Sequence, residues 1–232
     1  MSKTVILIPA RYNSTRFPGK PLCMLDGVPM IKRVYDACVA SKIPTYVLTD
    51  DMRIFDLFGP RQCWIDQEKD YANGTERCAG AITDSNFIKY LGHYDNIINV
   101  QGDMPDVSTY MITQAAWHLK HYPVTTMFTD MPEEQQNDPN TVKMVRAGDQ
   151  ALWFGRGMTG YGNWHLGVYG YKRNALEMYP NLIVEREEEV EKLEQLRWLK
   201  NGWQIGCLSV QYKGTEINSP EDVDIWHSKN SQ

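Results

Sequence analysis

The first apolar run of the chain constrains its fold more than any other feature. Residues 4–8 (TVILI) are continuously apolar or β-branched, which indicates a strand covered on both faces in a parallel sheet. Residues 9–29 then contain four prolines and two glycines, so the strand must lead into a long irregular loop. Apolar residues recur at helical spacing over 30–38, and a second strand is expected at 45–48. Strand, loop, helix and strand in this order predict a right-handed βαβ unit.

The same alternation continues along the chain. Further strands are predicted at 62–65, 96–100, 124–128, 142–146, 151–154, 166–171 and 204–210. Helices are predicted at about 76–91, from the N-cap Ser108 onward, and at about 187–201, where Glu188 and Lys192 have the spacing of an ion pair. The pattern indicates an α/β fold with a doubly wound, mostly parallel sheet and helices on both faces, whose ligands should bind at the carboxyl ends of strands. With 232 residues, 42% of them apolar, the chain is long enough for a single domain over 1–232.

Composition narrows the classes of function. Lys and Arg number 24 and Asp and Glu number 29, a net charge of −5, so binding to a nucleic-acid backbone is disfavoured, although local cations can still hold a small anion. The apolar run at 5–8 is too short for a signal peptide or a membrane span, so a cytoplasmic location without a membrane partner is expected. The five cysteines are scattered without a C-x-x-C pair, which predicts reduced thiols that fill the core.

Three cations, Arg11, Arg16 and Lys20, follow the first predicted strand within ten residues. Gly19 beside them allows close approach of the backbone to a ligand. Arginine grips phosphate oxygens through its fork and lysine acts as a point charge, so this loop can hold a polyphosphate. No P-loop spacing is present, and three solvated surface cations explain the charges equally well.

Two further charged residues lie near predicted element ends. Asp103 comes just after the strand at 96–100, where a carboxylate can hold Mg²⁺ against phosphates or simply cap a turn. Arg77, in 73–77 (NGTER), lies in the first turn of a helix, where a cation is disfavoured unless an anion is close. Arg77 is therefore either a carboxylate binder or a member of a surface ion pair.

Later segments offer a polar face and a second carboxylate. In 165–171 (HLGVYGY), strand alternation places His165, Gly167, Tyr169 and Tyr171 on one side, which suits a hydroxyl-rich ligand, although a lone His is usually structural. Glu194 in 193–197 (LEQLR) borders the apolar stripe of its helix, so it either reaches a pocket or is solvated.

Taken together, these segments resemble the 3-deoxy-manno-octulosonate cytidylyltransferases, the CMP-Kdo synthetases. The resemblance covers 5–222 and rests on motifs in the family's order: PAR at 9–11 through KPL at 20–22, GTER at 74–77, QGD at 101–103, DPN-x-VK at 138–143, HLG-x-YGY at 165–171 and LEQLR at 193–197. It implies a GT-A-like single nucleotidyltransferase domain with a mixed sheet and a short hairpin around 147–171 that forms a homodimer. The implied activity is transfer of CMP from CTP to the anomeric 2-hydroxyl of Kdo, with release of pyrophosphate, in a pathway that feeds lipopolysaccharide or capsule.

The resemblance also implies roles for individual residues. Arg11, Arg16 and Lys20 would hold the CTP phosphates, and Gln101 with nearby backbone would read cytosine. Asp103 would bind Mg²⁺, with residue 218 as the second metal ligand. The binding site for the sugar acid would be lined by Arg77, Arg156, His165, Tyr169, Tyr171 and Glu194. Such a transfer needs positioning and charge neutralisation, so Arg11, Lys20 and Asp103 are expected to be catalytic without a covalent nucleophile.

The chain departs from the family at the second metal position. Where the family carries Asp before Thr-Pro-Glu-Asp, this chain has Asn218, a weaker Mg²⁺ ligand than a carboxylate. Either Asp103 and CTP hold the metal, or Glu216 or Asp222 substitutes, or the chain is an impaired nucleotide-binding homologue. The segment 157–163 is also shorter than usual, which leaves a modified octulosonate such as the 8-amino sugar as an alternative substrate. A glycosyltransferase is disfavoured because QGD at 101–103 replaces the Asp-x-Asp motif of such enzymes.

Overall fold

The computed structural model describes residues 2–14 and 16–230. The strands are β1 (Thr4–Ala10), β2 (Met24–Leu25), β3 (Val28–Pro29), β4 (Thr45–Thr49), β5 (Cys63–Ile65), β6 (Asn96–Val100), β7 (Val124–Thr129), β8 (Lys143–Ala147), β9 (Gln150–Gly155), β10 (Asn163–Lys172) and β11 (Ile205–Ser209). The α-helices are α1 (Met30–Val39), α2 (Met52–Phe58), α3 (Gly74–Thr83), α4 (Ile88–Leu91), α5 (Thr109–His118), α6 (Arg173–Met178), α7 (Arg186–Glu191), α8 (Gln195–Lys200) and α9 (Pro220–Asn230). Each predicted strand is therefore present, with ends shifted by a few residues.

The strands form one large mixed sheet and a small β2–β3 hairpin. The large sheet has the order β5, β4, β1, β6, β10, β7, β11, β9 and β8, and β8 also pairs with β10. Within the described residues, seven of its nine strands run in one direction and only β9 and β10 run against them, so the sheet is mixed and mostly parallel, as predicted. The two reversed strands both pair with β8: a short turn joins β8 to β9 as an antiparallel hairpin, and the start of β10 is antiparallel to β8 as well.

The carboxyl ends of β1 and β6 meet at one edge of the sheet. These two strands are parallel, and β10 runs antiparallel to β6 with Val168 opposite Val100. The Gln101 N–H donates to the Gly167 carbonyl over 3.1 Å, so the first half of β10 reaches the same edge. The loop after β1, the loop after β6 and the start of β10 therefore converge, as the sequence predicted for the ligand site.

The core consists of two apolar layers, one on each face of the sheet. In β1, Val5 and Leu7 pack into one layer and Ile6 and Ile8 into the other, and all four side chains are fully buried. Burial of such side chains contributes roughly 1.5–3 kcal/mol each, which explains why β1 forms as predicted. The cysteines are free thiols, buried except for the partly exposed Cys23, in agreement with the prediction.

Two predicted helices are interrupted. The helix expected at 76–91 ends at Thr83, and the separate α4 follows. The helix expected at 187–201 is broken between α7 and α8 because Lys192 adopts the left-handed conformation, with φ 55°. The predicted Glu188–Lys192 pair does not form; Glu188 instead binds Arg197 of α8. Ser108 caps α5 as predicted, its hydroxyl accepting from the Met111 N–H.

Residues 143–155 form the hairpin β8–β9, which turns at 148–149. It overlaps only the first part of the segment 147–171 that the sequence assigned to a dimerisation hairpin. In the part of the chain that the structure describes, no helix is both long and apolar enough to cross a membrane.

Candidate active site

A cleft of about 990 Å³ opens at the edge where β1, β6 and β10 meet. It is lined by eleven of the residues predicted for the site: Arg11, Arg16, Lys20, Arg77, Gln101, Asp103, Arg156, His165, Tyr169, Glu194 and Asn218. These residues come from seven separate segments of the chain. The cleft therefore unites motifs that the sequence could only place in order.

The loop after β1 brings its cations to one wall of the cleft. Arg11 and Arg16 are exposed, and Arg16 Nη1 donates to Asn140 Oδ1 over 3.2 Å. Gly19 adopts φ 73°, and a Cβ there would lie 3.0 Å from Tyr12 Oη, so the turn requires glycine. This turn begins the short helix Lys20–Leu22 and directs Lys20 into the cleft.

Lys20 and Asp103 form an ion pair in the cleft. Lys20 Nζ lies 2.8 Å from Asp103 Oδ2, and both side chains are partly exposed. Lys20 can exchange this carboxylate for a phosphate, because its ammonium is a point charge without a fixed geometry. The pair thus places the predicted phosphate binder beside the predicted metal ligand.

A second carboxylate, Glu216, lines the cleft near Asp103. Burial, together with repulsion from the Asp103 carboxylate, raises the pKa of Glu216 to about 8, although Lys20 and Arg156 favour its charged form. Nowhere in residues 2–14 and 16–230 do three or more His, Cys, Asp or Glu side chains form a metal-binding group. One or two carboxylates completed by ligand oxygens are the usual protein share of an Mg²⁺ site, so these donors fit that ion rather than a closed zinc site.

Asn218 and Asp222 differ in their access to the cleft. Asn218 lines the cleft, whereas Asp222 does not. The Asp222 carboxylate accepts the backbone N–H groups of Asn218 and Ser219 and the Ser219 hydroxyl, at 2.7, 2.8 and 3.3 Å. Asp222 therefore caps the N-terminus of α9 and is not the metal ligand that substitutes for a carboxylate at position 218.

Gln101 and Glu194 form a polar bridge across the cleft floor. Gln101 Nε2 donates to Glu194 Oε1 over 3.0 Å, and the Thr75 N–H at the start of α3 donates to Glu194 Oε2 over 3.0 Å. Gly74 allows this approach, because a Cβ there would lie 3.0 Å from Pro9 and 3.1 Å from Gln101. Burial raises the pKa of Glu194 to about 7 despite the Thr75 hydrogen bonds. Glu194 is thus a cleft residue and not a solvated one.

Arg77 is buried at 3% exposure and pairs with Asp50, the two atoms Arg77 Nη2 and Asp50 Oδ2 lying 2.8 Å apart. Asp50 also accepts the Tyr12 N–H over 3.2 Å, which ties Arg77 to the loop after β1. Arg77 Nη1 is buried and has no hydrogen-bond partner among the described residues. Because a buried unsatisfied donor is costly, this atom points to an anionic ligand. Arg77 therefore does not belong to a surface ion pair.

The β10 residues divide between the cleft and the core. His165 Nε2 lies 2.9 Å from Thr126 Oγ1, and burial, reinforced by Arg156, lowers the pKa of His165 to about 3. His165 is therefore neutral at physiological pH and offers a polar ring rather than a charge. Tyr169 lines the cleft at 4% exposure, its hydroxyl 3.3 Å from Gln195 Oε1.

Tyr171 was predicted to line the sugar site, and the structure places it elsewhere. It is fully buried, outside the cleft, with its hydroxyl 2.9 Å from Thr75 Oγ1 and its ring stacked on Trp198. Strand alternation puts Tyr169 and Tyr171 on the same face, but the later residue lies deeper under α3 and α8. Tyr171 therefore supports the start of α3 and does not touch the cleft.

Arg156 joins the β9 end of the cleft to two other segments. Its N–H donates to Glu191 Oε2 over 2.8 Å and its Nη1 to the Asn140 carbonyl over 2.6 Å. Lys143, fully buried, donates to the carbonyls of Asp138 and Arg156. Through these hydrogen bonds, the motif 138–143 fixes the positions of Asn140 and Arg156 at the rim of the cleft.

Sequence reasoning missed some of the residues that organise the cleft. Asp50 follows β4 just as Asp103 follows β6, and this position at a strand's carboxyl end was the available signal. Arg197 was noted only as part of a motif, yet its guanidinium binds both Glu188 and Glu76 at 2.7 Å. These contacts link helices that are distant in sequence, so no local pattern predicted them.

Fold and cleft together define a nucleotidyltransferase. A putative glucose-1-phosphate thymidylyltransferase from Bacillus anthracis superposes with a TM-score of 0.70 over 98% of this chain and 94% of its own, at 12% identity, which supports the fold. The family model described as cytidylyltransferase matches residues 5–205, and the chain belongs to that family.

Individual relatives resemble the chain over nearly its whole length. The 8-amino-3,8-dideoxy-manno-octulosonate cytidylyltransferase of Shewanella piezotolerans (strain WP3 / JCM 13877) is 37% identical over 97% of both chains. That of Shewanella amazonensis (strain ATCC BAA-1098 / SB2B) is 37% identical over 94% of both. A CMP:2-keto-3-deoxy-manno-octonic acid synthetase, solved in complex with CTP, has a TM-score of 0.87 and 30% identity and covers 100% of this chain and 99% of its own. The resemblance to CMP-Kdo synthetases is thereby confirmed.

Proposed function

We propose that the protein transfers CMP from CTP to the anomeric 2-hydroxyl of a 3-deoxy-octulosonic acid, with the 8-amino-3,8-dideoxy sugar as its favoured acceptor. The observation that carries this proposal is one cleft that combines three loop cations, the free Arg77 donor and the polar groups of β10 and α8. The activity named for the Shewanella relatives supports the amino sugar. Kdo is the second candidate, because the similar structure in complex with CTP is named for that acid.

The nucleotide would bind along the loop after β1. Arg11, exposed at the cleft and without a hydrogen bond to any described residue, and Arg16 would hold the triphosphate together with Lys20. Three cations offset most of the roughly −4 charge of a nucleoside triphosphate. Gln101 and neighbouring backbone would read the cytosine, and Gly167 lets β10 pack closely against Gln101, since a Cβ there would lie 2.9 Å from Gln101 Cγ. We place the phosphates at Lys20 because Asp103 beside it is the proposed Mg²⁺ ligand.

The acceptor would bind between α3, β10 and α8. Its carboxylate would take the free N–H of Arg77, a charge-assisted bond of the stronger kind. Neutral His165, Tyr169 and Glu194 would receive its hydroxyls, and Arg156 would add a cation at the rim.

The wall formed by α7 favours an amino sugar. Glu189 is exposed there and makes no ion pair with any described residue, and Glu188 and Glu191 line the same wall. An ammonium group would gain electrostatic attraction from this wall, whereas the hydroxyl of Kdo would not. Glu189 is the carboxylate best placed to discriminate, since Glu188 and Glu191 are already bound to Arg197 and Arg156.

The chemistry would be an in-line displacement at the α-phosphorus. The bond from the sugar 2-oxygen to phosphorus forms, the bond to the β-phosphate oxygen breaks, and the hydroxyl proton leaves with pyrophosphate as the second product. Bound Mg²⁺ would neutralise charge on the phosphates and lower the pKa of the attacking hydroxyl. The chain's own residues would align the two substrates and exclude water, without a covalent intermediate.

The remaining proposals concern organisation. We infer one GT-A-like nucleotidyltransferase domain over 1–232 that acts in the cytoplasm as a homodimer. The continuous sheet supports the first point. Leu152 of β9, and Ile183, Val184 and Val190 around α7, are exposed apolar side chains, which supports contacts with a second copy. Light scattering on the wild type and on Leu152→Asp would test the dimer, and the same mass for both proteins would contradict this interface.

Pyrophosphate release tests the activity. The protein is mixed with Mg²⁺, CTP and either the 8-amino sugar or Kdo, and each of the other nucleoside triphosphates replaces CTP in turn. We expect release with CTP and a higher kcat/KM for the amino sugar. Release no greater than in the CTP-only control with both acids would contradict the proposed function.

A matched pair of variants tests the choice of acceptor. Glu189→Gln should lower kcat/KM for the amino sugar and leave that for Kdo unchanged. Glu68→Gln, an exposed carboxylate outside the cleft, is the control and should change neither. An equal loss for both acids in Glu189→Gln would contradict ammonium recognition.

A further inference from the structure

The segment 215–217 is fixed against the loop after β6. The Ile217 N–H donates to the Asp103 carbonyl over 3.0 Å, and the Thr215 N–H donates to Asp106 Oδ2 over 3.0 Å. Ile217 is fully buried in the small apolar cluster that contains Trp226 of α9. Glu216 therefore lies between two anchored residues, and its side chain has little freedom to leave the cleft.

Glu216 shares the cleft with a carboxylate and two cations. Asp103, Lys20 and Arg156 line the same cleft, and the backbone of Ile217, the next residue after Glu216, is hydrogen-bonded to that of Asp103. Gly167 must be glycine here, because a Cβ would lie 2.9 Å from Gln101 Cγ. Two carboxylates held together in this way repel one another, and a divalent cation between them removes that repulsion.

The other candidates for a second metal ligand are weaker. Asp222 is outside the cleft and is fully engaged by three donors at the start of α9. Asn218 reaches the cleft but brings only a neutral carbonyl oxygen, which binds Mg²⁺ less strongly than a carboxylate. Glu221 is exposed and outside the cleft, so Glu216 is the carboxylate of this segment that lines the cleft, two residues from the position where the family resemblance places one.

We propose that Glu216, together with Asp103, ligates the divalent cation that accompanies CTP, so that the second carboxylate has moved from position 218 to position 216. This inference rests on the proposed function. Lys20 neutralises Asp103 in the free protein, and a bound triphosphate offers Lys20 another partner. Metal binding is therefore expected to be tight only when CTP is present.

Mn²⁺ binding to the protein with and without CTP tests this inference. Water-proton relaxation distinguishes Mn²⁺ on the protein from Mn²⁺ on free CTP, because the protein complex tumbles slowly. The proteins are the wild type, Glu216→Gln, Glu216→Ala, Asn218→Ala and Asp103→Asn. Loss of even an outer-shell partner typically weakens metal affinity about 10- to 100-fold, so both Glu216 variants should weaken Mn²⁺ binding by at least that much. Asn218→Ala should remain close to the wild type, and Asp103→Asn should lose the site.

Two controls separate metal binding from folding and from nucleotide binding. Circular dichroism should show the same fold for every variant, and calorimetry in EDTA should show that the Glu216 variants still bind CTP. Mn²⁺ affinity unchanged in both Glu216 variants, or lost in Asn218→Ala instead, would overturn the inference and leave the proposed function intact. Failure of the wild type to bind CTP with or without metal would instead contradict the proposed function.

Discussion

Removal of Arg197 should destabilise the protein more than removal of any exposed charge. Its guanidinium is 3% exposed and contacts Glu188 at 2.7 and 2.9 Å and Glu76 at 2.7 Å, and it also lies 4.3 Å from the centre of the Tyr179 ring. Glu188 is itself only 9% exposed. Arg197→Met keeps most of the apolar volume but leaves this buried carboxylate without a partner.

The expected loss follows from that burial. Breaking a buried ion pair by removing one partner costs about 3–5 kcal/mol, because the remaining charge is neither solvated nor paired. For a chain of this size, about 2–4 °C per kcal/mol corresponds to a fall in Tm of roughly 6–20 °C. The assay is urea unfolding followed by circular dichroism, with a thermal melt as the second measurement.

Two comparisons decide whether the reasoning is right. Lys200→Met removes an exposed partner of Glu187 and should change the free energy of unfolding little. The double variant Arg197→Met/Glu188→Gln removes the stranded charge and should recover much of the loss. A loss below about 1 kcal/mol in Arg197→Met would refute the argument, because the pair would then behave like a surface pair.

Three other predictions concern packing and pH. Gly80→Ala should cost about 1–3 kcal/mol, because the new Cβ would lie 2.4 Å from Tyr71 Oη; an unchanged urea midpoint would contradict this. The pKa of His165 is lowered to about 3, so between pH 6.5 and 3 this side chain is neutral in the folded chain but takes up a proton in the unfolded chain. Its contribution to stability is therefore complete above about pH 6.5 and is lost as the pH falls towards 3. His165→Gln should therefore lose less stability than the wild type between pH 6.5 and 4.5, and parallel losses would show that another group is responsible. The pKa of Glu194 is raised to about 7, so its contribution to stability is complete below its ordinary pKa of 4.5 and is lost as the pH rises through 7. In urea titrations, the free energy of unfolding of Glu194→Gln should therefore rise relative to that of the wild type between pH 4.5 and pH 8. An equal pH dependence of the two proteins would contradict this.

Much of the fold could be predicted because local patterns specify its elements. The strands at 4–8, 45–48 and 96–100 are apolar runs bounded by turn residues, and each forms within a few residues of the expected position. The family resemblance implied a mixed sheet, but local patterns could not identify β9 and β10 as the reversed strands, because strand direction depends on which strands become neighbours. The break at Lys192 likewise reflects the Glu188–Arg197 contact, which no helical periodicity contains.

The site was predictable as a set of residues but not as an arrangement. The loop cations, Asp103, Gln101 and Glu194 carry chemistry that the sequence makes visible, and all of them line the cleft. Tyr171 was misplaced because alternation specifies a face and not a depth. Asp50 was missed because its role depends on Arg77, which is 27 residues away in the chain.

The order of residues along the chain was enough to determine the buried strands, the charged loop after the first of them and the membership of the cytidylyltransferase family. Only the tertiary structure decided which charges meet. It paired Lys20 with Asp103, left one Arg77 nitrogen without a partner among the residues that the structure describes, and placed Glu216 rather than Asp222 at the cleft. The physical reason is range: strand and turn preferences act between neighbouring residues, whereas ion pairing and burial depend on distances that exist only after the sheet has assembled.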